Sequence, residues 1–180
     1  MSLFAATLAS GLILLALGLP LLIDHSGITA AIRAFPRSTS AGYVVFGAGA
    51  AWFLYNIWNL SPADFGEYRT VLFIGFAAIA VLAFKCVPDF LGVRGACALV
   101  LIGATPFLDA AFMHYDRPQR LFMVAFVYAA LALAIWLGAQ PWRLRDFLGW
   151  LFERPARSRG LGGLMVAYGF LLCGVAFTLR

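Results

Sequence analysis

Charge is scarce in this sequence: only 12% of its 180 residues are charged, against about 25% in soluble domains. Lysine occurs once, at Lys85, and histidine twice, at His25 and His114. No polar run is long enough to form a second domain. Cysteine is equally sparse. Cys86, Cys97 and Cys173 form no CxxC pair, and an odd number argues against a complete disulfide framework. A glycine-rich phosphate loop, a Ser–His–Asp arrangement and a metal-binding helix motif are all missing, so the sequence offers no signature of nucleotide, acyl-transfer or zinc chemistry.

Apolar side chains take the space that charge leaves. They make up 63% of the chain, where soluble domains hold roughly 45–50%. A soluble core in a chain of this length cannot hide that much apolar surface. The fold expected is an all-α integral membrane protein, a single polytopic domain over 1–180. Six apolar segments lie at about 3–23, 41–60, 70–87, 91–112, 121–140 and 161–179. Each approaches the ~20 residues that cross the hydrocarbon as a helix. The third is the shortest uninterrupted run, Val71 to Phe84, and Lys85 extends it by snorkelling to the headgroups. The first lacks a basic leader and a small-residue cleavage site, so it reads as a helix rather than a signal peptide.

Orientation follows from the basic residues flanking the spans. One side collects Arg33, Arg37, Lys85, Arg94, Arg143, Arg145, Arg154, Arg157 and Arg159. The other has Arg69, Arg117, Arg120 and Arg180. The richer side should be cytoplasmic, which leaves both termini outside a cell (inner) membrane. The net charge of +5 comes mostly from the segment between the last two spans. Lipid headgroups are therefore the expected partner, and nucleic acid is not. The excess of arginine over lysine favours a bacterial genome.

Two stretches echo each other. "PRSTSAGYVVFGAG" at 36–49 and "ARSRGLGGLMVAYG" at 156–169 align Arg37 with Arg157, Ser38 with Ser158, Gly42 with Gly162 and Gly49 with Gly169. An internal repeat of 1–60 in 121–180 accounts for the echo, as do two helices under the same membrane constraints. Glycines seven apart lie nearly two turns apart on one helix face, where a neighbouring backbone can approach. Gly42, Gly49, Gly162 and Gly169 are therefore expected packing positions. The same spacing recurs in Gly11/Gly18 and Ala96/Gly103.

The linkers add amphipathic segments. Over 142–154, Leu144, Phe147, Leu148, Leu151 and Phe152 share a face opposite Asp146, Gly149 and Glu153, the pattern of a helix lying in the membrane plane. Ile28, Ile32 and Phe35 repeat it weakly over about 26–35. The expected architecture is three antiparallel hairpins, the outer two carrying in-plane helices.

Asp109 is the leading functional candidate, with His114 beside it in sequence. A carboxylate within a span costs about 3 kcal/mol or more unless solvated or partnered, and marks a proton or solute pathway by default. Pro106 frees a backbone carbonyl in the same segment. If the helix instead ends near Phe107, Asp109 stands in water with Tyr115 and Asp116. Asp64 and Glu67 would join this polar outer surface, and Asn56 and Asn59 lie near the outer end of the second span. The expected topology puts His25 and His114 on opposite faces, so they cannot share a metal, and no cofactor is expected. Aromatic content suggests neither haem nor carotenoid without an axial ligand in a span.

Three functions compete. The sequence favours a non-enzymatic accessory, assembly or scaffold component, packed with other membrane proteins or with copies of itself. A small-solute or ion transporter acting as an oligomer is the second, since repeated hairpins are a transporter feature. A membrane enzyme acting on lipid or quinone is the third, and it would need Asp109 and His114.

Overall fold

The computed structural model describes residues 1–23 and 25–179; Asp24, and Arg180 of the outer arginine set, lie outside them. The described chain is all-helical, 85% helix without a strand. Its main elements are α1 (Leu3–Ile23), α2 (Ser26–Ala34), α3 (Thr39–Ala41), α4 (Gly47–Trp58), α5 (Arg69–Cys86), α6 (Leu91–Ala111), α7 (Arg120–Ala139), α8 (Trp142–Leu151) and α9 (Pro155–Thr178).

Among the described residues, five helical stretches are long and apolar enough to cross a membrane: Leu3–Ile23, Gly66–Cys86, Leu91–Ala111, Arg120–Ala139 and Pro155–Thr178. At about 1.5 Å per residue, even the 20 residues of Arg120–Ala139 cover a hydrocarbon core of about 30 Å. The segment expected at 41–60 differs from these. It is not one α-helix but α3, a π-helical segment at Gly42–Phe46, and α4. The interruption coincides with a close approach. A Cβ on Gly95 of α6 would overlap the backbone of Phe46, and π segments mark places where the regular ladder has been widened. The shortest apolar run, by contrast, forms the uninterrupted α5.

Other boundaries move for local reasons. α6 does not end near Phe107 but continues to Ala111, because Pro106 costs it one internal hydrogen bond without stopping it. The amphipathic segment expected over 142–154 ends at Leu151. Arg154 precedes a proline, which disfavours the helical conformation there, and it is extended at φ −131°, ψ 122°. Pro155 then starts α9 earlier than hydropathy suggests, since proline suits the first helical turn. The weaker segment forms α2, and Pro36 lies in the 3-10 turn Phe35–Arg37 that follows it.

By contacts the chain divides into two compact units, Met1–Arg33 with Gly103–Leu133 and Arg145–Arg180, and Ala34–Ile102 with Ala134–Leu144. In the first unit, Leu3, Ala6 and Leu14 of α1 share a core with Leu172 of α9, Ala110 of α6 and Met123 of α7. In the second, Val93 and Cys97 of α6 pack with Ala134 of α7, and Phe35, Phe90 and Leu137 close around them. There α5 is held to the helices before it by ring pairs: Tyr43 stacks on Phe84, Phe53 meets Phe76 edge-on, and Trp58 meets Phe73.

Candidate functional site

Helices α1 and α9 meet in a close seam. A Cβ on Gly11 would lie 2.8 Å from the carbonyl oxygen of Gly169 and 2.6 Å from Cys173 Sγ. A Cβ on Gly162 would lie 2.8 Å from the Gly18 carbonyl oxygen and 2.7 Å from the Leu22 nitrogen. The two seven-residue glycine pairs therefore face one another, Gly11 with Gly169 and Gly18 with Gly162. As the numbers rise along α1 they fall along α9, so the helices are antiparallel, and Phe4 meets Phe177 with ring centroids 5.9 Å apart. Backbones this close gain dispersion contacts and weak Cα–H···O bonds that side chains would block.

Polar groups in this seam are satisfied without bridging the helices. Thr7 Oγ1 donates to the Leu3 carbonyl at 2.9 Å and Ser10 Oγ to that of Ala6 at 3.0 Å. Ser158 Oγ donates to the Pro155 carbonyl at 3.0 Å. Among the described residues no buried side-chain nitrogen or oxygen lacks a partner.

Gly42 and Gly49 meet α6 instead. A Cβ on Gly49 would lie 3.2 Å from the Gly95 carbonyl oxygen, while one on Gly42 would make ordinary contact with Leu91 and Gly92. Their partners are thus Gly92 and Gly95, not the Ala96/Gly103 spacing that the sequence brings to notice. The two halves of the echo also differ in backbone. Ser38 is an N-cap whose Oγ accepts from the Ala41 nitrogen at 3.2 Å, whereas Ser158 lies inside α9.

Asp109 sits in the last turn of α6 with its side chain exposed, and His114 is exposed in the turn beyond. No hydrogen bond or ion pair joins them among the described residues. The same end holds two arginines that sequence reasoning counted only for topology. Arg120 Nη1 donates to the Ala111 carbonyl at 2.8 Å and lies over the Tyr115 ring at 4.8 Å. Arg117 Nη1 donates to the Leu179 carbonyl at 2.8 Å. Each closes the C-terminal end of a helix, where carbonyls have no internal donor and the helix dipole favours a cation. Their position just beyond an apolar run was the signal available in the sequence.

The remaining polar candidates have local partners. His25 Nδ1 accepts from the Gly27 nitrogen at 3.2 Å, Ser61 Oγ donates to Asp64 at 2.7 Å, and Asn59 Nδ2 donates to the Tyr55 carbonyl at 2.7 Å. Cys86, Cys97 and Cys173 are free thiols. Among the described residues no three of His, Cys, Asp or Glu stand together as a metal site. No protein-family model matches the chain, and neither a curated protein nor a solved structure matches it.

Proposed function

We propose that this chain is a six-crossing membrane protein with a non-enzymatic accessory, assembly or scaffold role. The observation that carries the reading is α5. It is apolar from Val71 to Phe84, yet none of its residues is buried within the chain, and Val71 and Val81 are each 70% exposed. One edge of α5 rests on the aromatic side chains that precede it, and the rest needs a cover. A protein neighbour or a second copy fits an accessory component, and the closed α1–α9 seam fits a rigid support better than a pathway.

Parity supports the sixth crossing. The contact of Phe4 with Phe177 brings the two ends of the chain together, and an even number of crossings accords with that. The twenty helical residues from Thr39 to Trp58 are the remaining stretch of sufficient length, and their π segment need not prevent a crossing where α6 packs against it. The basic asymmetry favours both termini outside the cytoplasm, and the amphipathic pattern of α2 and α8 favours their lying along the inner surface.

A photo-crosslinker at Ile79 or Leu82 of α5, activated in native membranes, tests the accessory role. Crosslinks to a protein, or to a second copy of this chain, are expected. Labelling of lipid alone at both positions overturns the role.

A further inference from the structure

The inner-surface corner where α8 turns into α9 carries a second message, which rests on α8 lying along the membrane. Its carboxylates are already engaged. Asp146 accepts from Arg145 Nη2 at 2.6 Å, and Glu153 accepts from Arg157 Nη1 at 2.8 Å. Arg157 also donates to the Trp150 carbonyl at 2.8 Å and lies 4.5 Å from the centre of the Trp150 ring, so it ties α8 to α9. The fold then adds a residue from far away in sequence: the guanidinium of Arg33, in the last turn of α2, stands 5.4 Å from the centre of the Phe152 ring. Arg33 and Arg154 are exposed, and neither is paired with a carboxylate among the described residues.

The apolar side of α8 is divided. Leu148 and Leu151 are buried in the protein, whereas Phe147 and Trp150 remain 43% and 52% exposed, with ring centroids 5.9 Å apart. Two exposed rings on α8, with Arg33 over Phe152 and Arg154 three residues beyond the helix end, match the boundary of an anionic bilayer. Rings settle at the level where headgroups meet acyl chains, and a guanidinium fork takes a phosphate through two parallel hydrogen bonds. We propose that Arg33, Arg154, Phe147 and Trp150 form a binding surface for anionic phospholipid headgroups. An acidic protein segment would satisfy the arginines but would leave the rings uncovered.

The test uses the full-length protein in mild detergent, mixed with phosphatidylglycerol and phosphatidylcholine, with retained lipid counted by native mass spectrometry. Wild type should retain phosphatidylglycerol preferentially. Arg33→Gln and Arg154→Gln should each reduce that preference about fivefold, the usual weight of one basic residue near an anionic surface. Both side chains are exposed, so the variants should fold. Arg69→Gln, whose guanidinium lies over Trp58 at 5.7 Å in the other unit, should leave the preference unchanged. Equal retention of the two lipids by wild type, or an undiminished preference in the double variant, overturns the proposal. So does displacement of the lipid by poly-glutamate. A label at residue 147, read by quenching from brominated phosphatidylcholine, separates the two levels. Absence of quenching overturns the placement of α8 and this proposal with it, whereas quenching without lipid preference overturns this proposal alone.

Discussion

Gly18 and Gly162 meet so closely that a side chain on either would strike the other's helix. A Cβ on Gly162 would lie 2.8 Å from the Gly18 carbonyl oxygen, and one on Gly18 would lie 3.0 Å from that of Gly162. Contact at this distance commits both backbones, and a backbone cannot swing aside as a long side chain can.

Gly162→Ala and Gly11→Ala should therefore lower stability by about 1–3 kcal/mol, the cost of overpacking a well-filled interface. Gly174→Ala on the same α9 meets nothing within 4 Å and should be neutral or slightly stabilising, since alanine favours the helix. Thermal unfolding in detergent reads all three. Equal midpoints for Gly162→Ala and Gly174→Ala would show that the seam is looser than its geometry.

Topology is open to a direct measurement. Reporters fused before Met1 and after Arg180 should both be active outside the cytoplasm, and one inserted in the 152–154 turn should be active inside. Opposite reports from the two termini would break the parity drawn from Phe4 and Phe177 and leave an odd number of crossings.

Arg120 closes α6 through the Ala111 carbonyl at 2.8 Å. Arg120→Gln should cost about 1 kcal/mol, because the bond is partly solvent-exposed and a neutral amide does not replace a cation at a helix C-terminus. A larger shift in midpoint than the Gly162→Ala variant gives would mean that the arginine supports more than a helix end.

Asp109 offers a test of function rather than of folding. Its side chain is exposed, so Asp109→Asn should leave the unfolding midpoint unchanged across neutral pH and leave any growth phenotype of the gene intact. Loss of phenotype with a fully stable protein would transfer the functional centre to the end of α6 and favour transport or catalysis over an accessory role.

Class was readable from composition because hydrocarbon imposes one demand on every residue it touches, and long apolar runs satisfy that demand only as helices. Helix ends were readable less well. Pro155 and Pro106 were visible as prolines, but one begins a helix and the other is carried inside one, and that difference depends on neighbours rather than on proline itself. The segment at 41–60 looked more secure than that at 70–87, yet it is the former that carries a π segment, since hydropathy does not register how closely Gly95 approaches Phe46.

Seven-residue glycine spacing marked surfaces able to pack, but spacing is a property of one helix and cannot name its partner. Only the tertiary structure set Gly11 and Gly18 against Gly169 and Gly162, and Gly49 against Gly95. The same holds for charge. Sequence placed Arg33, Arg117 and Arg120 on sides of a membrane by counting. The fold decided that Arg117 and Arg120 close helix ends and that Arg33 stands over Phe152. A guanidinium reaches only a few ångströms, and which carbonyl or ring lies within that reach depends on how separate helices pack.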